Sequence, residues 1–157
     1  MSHTVVIVGA GQAGLQTAVS LRQGGFDGRV VLLGEESRPP YQRPPLSKQV
    51  LKGEWDADRC TLRQPSFLEE HAIEFRPGMR AEALDPARRQ LSLEGGRILD
   101  YDDLVIATGA SLNRISLSGS ALGGVHYLRT LEDALALRDA LTGQPRLVVA
   151  GGGYIGL

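Results

Sequence analysis

The feature that most constrains this chain is a pair of matching segments, "TVVIVGAGQAGL" near its start and "LVVAGGGYIGL" at its end. Each is an unbroken run of strand-forming residues that passes directly into a glycine-rich turn. A run such as Thr4 to Val8 suits a strand buried on both faces, as in a parallel sheet. Parallel strands need crossovers, and "LQTAVSLRQGG" supplies one. Leu15, Ala18, Val19 and Leu21 share a helix face, and Gly24-Gly25 end the helix. "RVVLLGEE" (29–36) then reads as the second strand with its carboxyl end, which completes a βαβ unit.

The first turn, Gly9-Ala10-Gly11-Gln12-Ala13-Gly14, fits G-x-G-x-x-G in its required setting between strand and helix. Gly9 makes the tight turn, Gly11 leaves room for a pyrophosphate, and Gly14 permits close helix–strand packing. The free amides and dipole of the helix start favour phosphate charge. Glu35, 21 residues after Gly14, is placed to accept hydrogen bonds from a ribose diol. The bland alternative is a structural glycine turn with Glu35 merely exposed. Gly151, Gly153 and Gly156 repeat the pattern, but the helix that should follow is almost absent before Leu157. Two such turns imply two nucleotides, one resident and one arriving as substrate, as in a flavin enzyme reduced by a nicotinamide nucleotide.

Between the two turns the chain changes character. Pro39, Pro40, Pro44 and Pro45 exclude a regular helix or central strand. Ser47 is expected to cap a short helix holding Lys48, Val50 and Leu51, and Ser66 to begin one around Phe67 to His71. Residues 73–100 read as short strands broken by turns at Asp85-Pro86 and Gly95-Gly96. Leu104 to Ala107 return to a buried strand that enters Gly109. Thr130 with Asp133 resembles a capping box, and Leu131, Ala134, Leu135, Leu137 and Leu141 supply a helix face. Arg146 to Ala150 begin another strand. The expected fold is α/β, a Rossmann-like dinucleotide-binding domain with a βαβ unit and a small inserted antiparallel segment, truncated. Its expected parts are 1–110 for the N-terminal part of the first, flavin-binding domain, 111–145 for a connection and helix leading to a second domain, and 146–157 for the start of that second, nicotinamide-nucleotide-binding domain.

Composition excludes several classes. Seventeen basic and eighteen acidic residues give a net charge of −1, which argues against a general nucleic-acid binder. Cys60 is the only cysteine, so an intramolecular disulfide and a multi-cysteine metal site are both excluded. His3, His71 and His126 are scattered, and no metal site is expected. "VVIVG" is too short to span a membrane and no export signal precedes it, so the expected location is cytoplasmic.

The segments "VVIVGAGQAGL", "YQRPPLSK", "YDDLVIATGA", "HYLRTLEDA" and "VVAGGGYIGL", in this order, resemble pyridine-nucleotide-dependent flavoprotein reductases. The likeness is strongest to ferredoxin reductases of the putidaredoxin and rhodocoxin reductase type, which serve P450 and aromatic-ring oxygenase systems. "RPPLSK" with "LRTLEDA" is more specific than either glycine turn. The resemblance implies FAD as cofactor, NAD(P)H as substrate with NADH favoured, and a ferredoxin-type [2Fe-2S] protein as acceptor. It places Ala13 at the FAD pyrophosphate, Glu35 at the adenosine ribose and Ala81 with its backbone at the adenine. Thr108 and Gly109 belong to the second FAD-facing turn, and Arg43 and Arg129 contact FAD. Lys48 lies beside the reactive side of the flavin, where it steadies developing negative charge. Gly151, Gly153 and Gly156 form the NAD-binding turn.

In the family a glutamate follows the second turn, and later segments complete the FAD site. Residues 1–157 alone are therefore expected not to sustain NAD(P)H oxidation. No paired cysteines follow the first nucleotide unit, which disfavours a disulfide-reductase mechanism. The alternatives are a rubredoxin or other NAD(P)H:acceptor reductase, and a redox-regulated interaction protein resembling apoptosis-inducing factor.

Overall fold

The computed structural model of the chain describes residues 3–143, 146–153 and 156. Two compact units emerge: Met1–Tyr41 with Thr61–Gly109, and Gln42–Cys60 with Ala110–Leu157.

The first unit is built on a parallel sheet of order β3-β2-β1-β7, with β1 Thr4–Val8, β2 Arg29–Leu33, β3 Ile73–Arg76 and β7 Asp103–Ile106. Val8 pairs with Leu33 on one side and Ile106 on the other, so the three strands end level. α1 (Gln12–Gln23) connects β1 to β2, and α2 (Pro65–Glu70) precedes β3. An antiparallel meander of β4 (Ala81–Asp85), β5 (Gln90–Leu93) and β6 (Arg97–Asp100) completes the unit.

The unbroken apolar runs of β1 and β2 follow from burial on both faces. Val5, Ile7, Val30 and Leu32 point to a core shared with Leu15, Ala18 and Val19 of α1 and Leu68 of α2. Val6, Val8, Val31 and Leu33 point the other way, against Leu91, Leu93 and Leu99 of the meander. The second layer is thus a small sheet where a simpler doubly wound fold would carry a helix. This is a Rossmann-like α/β unit with an antiparallel insertion.

Some local expectations need correction. Ser47 caps nothing: Pro45 occupies the N-cap of a short π-helix, Leu46–Val50. The fixed φ of Pro45 suits that place and needs no amide. Likewise Gln64 is the N-cap of α2 and Pro65, not Ser66, opens it, the proline preference for the first helical turn having won. β3 joins the parallel sheet beside β2, apart from the meander. Residues 146–150 take no strand pairing, since no described segment offers them a partner. The helix expected to follow the second turn falls on Tyr154, Ile155 and Leu157, which lie outside the described residues.

Two side chains tie the first unit together. The Arg22 guanidinium donates to four carbonyls: Phe26 (2.7 Å), Gly28 (2.8 Å), His71 (3.0 Å) and Ala72 (2.6 Å). It joins the end of α1 to the turn after α2, where Ala72 holds a left-handed φ of 52°. Glu74 on β3 accepts from Arg29 of β2 at 2.9 Å and from Arg76 at 2.7 Å.

Partial burial pushes the Glu74 carboxyl up, but hydrogen bonds and charge from Arg76 and Arg29 outweigh it, and its net displacement is below the ordinary 4.5. A lowered folded value means that this carboxylate adds stability above its unfolded pKa and loses it as pH falls through the folded one. The melting-temperature gap between wild type and Glu74→Gln is therefore expected to be widest near neutrality. It should close as pH drops below about 4.5. A gap that stays constant across thermal scans from neutral to acid pH would show that the ion pairs add nothing.

Candidate functional site

Strands β1, β2 and β7 deliver three turns to one edge of the sheet. β2 and β3 lie on one side of β1 and β7 on the other, so the first glycine turn sits at the topological switch point. The turn is locked from behind. Gly9 has φ 110°, donates its amide to the Leu33 carbonyl at 2.9 Å, and leaves no space for a side chain. A Cβ there would stand 2.2 Å from the Ala107 oxygen and 3.0 Å from the Cα of Thr108. Ala107 and Thr108, at the exit of β7, thus back directly onto the first glycine, and Gly109 follows them.

The other two glycines differ sharply. A Cβ on Gly14 would stand 1.8 Å from the Gly9 carbonyl oxygen, so this position is needed for α1 to pack. A Cβ on Gly11 would meet nothing within 4 Å. Gly11 is the N-cap of α1 but offers no capping side chain, and no acidic residue stands in the first turn. Helix α3 (Leu131–Leu141) shows the contrast. Its N-terminus carries a full capping box, in which Thr130 and Asp133 exchange bonds, with Glu132 beside them. The start of α1 therefore keeps its amide donors for an outside acceptor. Ala13, in the first turn of α1, is exposed.

Glu35 lies two residues beyond the end of β2, with its carboxylate exposed. Oε1 accepts from Arg80 Nη1 at 2.9 Å. Ala81 opens β4, an edge strand of the meander, and pairs with Leu93 on one side only. Arg80 was not apparent from the sequence, because 45 residues separate it from Glu35 and no motif contains it.

In the second unit, Arg43 donates from Nη1 to the Arg129 carbonyl at 2.6 Å. The Arg129 and Thr130 amides are both held by Asp133 Oδ2, at 2.9 Å and 2.7 Å. The π-helix carries exposed Lys48 between buried Leu46 and Val50, and α3 packs against this helix. Such helices occur often at functional sites. Cys60 is fully buried, and burial, then the Asp56 charge, pushes its thiol pKa up, which opposes thiolate chemistry.

The described glycines of the second turn share features with the first. Gly151 has φ 117°, a Cβ on Gly156 would stand 2.3 Å from the Gly151 oxygen, and a Cβ on Gly153 would meet nothing within 4 Å. Gly153 and Gly156 thus match Gly11 and Gly14, while Gly151 shares the positive φ of Gly9 but not its crowding, since a Cβ there would meet nothing within 4 Å. Among the described residues no cluster of three or more histidine, cysteine or acidic side chains gathers. None of their helices is long and apolar enough to cross a membrane.

Known proteins share this arrangement. The family model described as pyridine nucleotide-disulphide oxidoreductase matches residues 3–157. A ferredoxin–NAD(P)(+) reductase of Sphingomonas sp is 46% identical over 155 residues, covering 99% of this chain and 37% of that protein. Rhodocoxin reductase of Rhodococcus erythropolis is 40% identical over 154 residues, 98% of this chain and 36% of its own length. Among solved structures, the ferredoxin reductase for the CYP199A2 system from Rhodopseudomonas palustris superposes with a TM-score of 0.94 at 42% identity. That match covers 98% of this chain and 38% of the other. The chain therefore spans little more than a third of the length of these relatives. With a family match over nearly all its residues, the chain belongs to the pyridine nucleotide-disulphide oxidoreductase family.

Proposed function

We propose that this chain is the FAD-binding part of an NAD(P)H-dependent ferredoxin reductase that passes electrons to a [2Fe-2S] protein of a P450 or oxygenase system. The observation that carries the reading is the pair of glycine turns, each with a first glycine at positive φ, an open middle glycine and a last glycine closed against the first. Residues 1–110 hold FAD for the most part, 111–145 connect, and 146–157 begin the nicotinamide-nucleotide region.

The residues present fit a dinucleotide. Gly11 gives the pyrophosphate access to the α1 amides, and Glu35 receives the adenosine ribose. Ala81 presents backbone to the adenine, and Thr108 and Gly109 form a second wall. The family likeness, not the geometry, assigns positive charge at FAD to Arg43 and Arg129 and the stabilisation of negative charge on the ring to Lys48. FAD, when bound, supplies the exchange between two-electron nicotinamide oxidation and one-electron iron–sulfur reduction. The chain itself binds, orients and tunes, with no nucleophile. NADH is the favoured donor.

Chromatography of cofactor extracted from the full-length protein tests the binding half, and FMN alone or no flavin would overturn it. A panel of [2Fe-2S] ferredoxins and rubredoxins, with NADH as donor, tests the acceptor. Faster rubredoxin reduction would assign the protein to that branch. Slow turnover with every acceptor would favour a redox-regulated interaction protein.

Lys48 is expected to matter for electron transfer and not for stability, since it is exposed on its π-helix. Lys48→Ala should slow stopped-flow reduction by NADH on the order of a hundredfold while the melting temperature holds. An unchanged rate together with an unchanged flavin potential would make Lys48 an ordinary surface residue.

A further inference from the structure

We propose that Arg80 is a positioning residue of the adenosine end: it holds one oxygen of the Glu35 carboxylate and leaves the other turned to the ribose diol. The inference rests on the FAD reading above and adds to it a residue that no sequence motif contains.

The backbone brings the two residues together. The Gly34 amide donates to the Arg76 carbonyl at 3.0 Å, the Met79 amide to the Gly34 carbonyl at 2.8 Å, and the Gly78 amide to the Glu36 carbonyl at 3.1 Å. These bonds lace the end of β2 to the loop between β3 and β4. The Arg80 carbonyl is itself fixed by the Glu94 amide at 2.8 Å. Arg80 therefore stands beside Glu35 whether or not their side chains attract each other.

The pair is poorly suited to stabilising the fold. The two side chains are 61% and 68% exposed, and ion pairs so open contribute little. It is well suited to orienting a carboxylate. Arg80 Nη1 takes Oε1 at 2.9 Å, and among the described residues Oε2 has no hydrogen-bond partner. An unheld glutamate on a loop samples several rotamers, and each ordered side chain lost on binding weakens affinity. A guanidinium already in place removes that cost. Arg80 also directly precedes Ala81, the proposed backbone contact to the adenine, so one short segment would serve both base and sugar.

The test uses the full-length apoprotein, with FAD and ADP as probes. Arg80→Met is expected to weaken both about tenfold, because ADP carries the same adenosine end. Its apoprotein melting temperature should match wild type, a result that a merely structural role would not give together with lost affinity. Arg80→Lys should recover part of the loss. Combined with Glu35→Gln, Arg80→Met should add no further loss, since Arg80 acts through Glu35. Unchanged or tighter binding by Arg80→Met would overturn the proposal, tighter binding marking a contact that competes with the ribose. Equal losses from Arg80→Met alone and on top of Glu35→Gln would also overturn it. Failure of the underlying FAD reading would show in the wild type, as absence of FAD binding, and the Arg80 role would fall with it.

Discussion

Gly11→Ser is expected to leave the fold as stable as before and to remove most of the FAD affinity. The two effects separate because the position has space but no spare function. Gly11 has φ −83° and ψ −166°, an extended conformation open to any L-residue, and its Cβ would meet nothing within 4 Å. It is also the N-cap of a helix that has no capping side chain, and serine caps at least as well as glycine. The apoprotein should therefore melt at or slightly above the wild-type temperature. The same serine fills the space proposed for the pyrophosphate and turns its hydroxyl onto amides that the phosphate would use. Losing one charge-assisted hydrogen bond and meeting that crowding costs about 2–3 kcal/mol, a loss on the order of a hundredfold in affinity.

Fluorescence titration of the full-length apoprotein with FAD measures this directly. Gly14→Ala is the control with the opposite pattern. Its Cβ would stand 1.8 Å from a backbone oxygen, so the protein should lose about 3 kcal/mol or more of stability. A Gly11→Ser protein that binds FAD as tightly as wild type would leave the turn a structural feature only.

What the sequence made legible is local. The packing role of Gly14 could be read because it depends on Gly9, five residues away, whereas the wall that Ala107 and Thr108 set against Gly9 leaves no local pattern. The runs Thr4 to Val8 and Arg29 to Leu33 were readable because burial on both faces removes polar residues from both. The capping box of α3 was readable from a three-residue spacing, with aspartate in place of the usual glutamate. What escaped was pairing between distant segments. "IEFR" offers four residues, and nothing within them says that β3 lies beside β2. Pro45 and Pro65 displaced the expected serine caps because a fixed φ outweighed a capping hydroxyl. Arg80 meets Glu35 across 45 residues through loop bonds that leave no pattern. The placement of Arg43, Lys48 and Arg129 at a cofactor rested on family likeness alone.

Arg22 is the extreme case of the same limit, and its removal carries the largest effect expected on stability away from the glycines. Its hydrogen-bond partners are all main-chain carbonyls, which every residue possesses, so no sequence pattern announces them. Two of them, Phe26 and Gly28, lie in the turn from α1 to β2, and two, His71 and Ala72, in the turn from α2 to β3. Gly28 is itself crowded, since a Cβ there would stand 2.2 Å from the His3 carbonyl oxygen, so this corner cannot shift to find other partners. Ala72 is held at a left-handed φ of 52°, which costs an alanine more than a glycine. Removing the guanidinium leaves those carbonyls to water and releases that strained residue.

Arg22→Ala is therefore expected to lose about 2–4 kcal/mol, several degrees or more in melting temperature. Arg22→Lys keeps the charge, but a single ammonium cannot serve both turns at once, and it should recover less than half of the loss. FAD affinity should hold in both, because Arg22 works where α1 ends and β2 begins, at the opposite edge of the sheet from the glycine turn. Urea unfolding of the full-length protein checks the first expectation and FAD titration the second. A loss below about 0.5 kcal/mol in Arg22→Ala, the range of an ordinary surface substitution, would show that solvent replaces the guanidinium without cost.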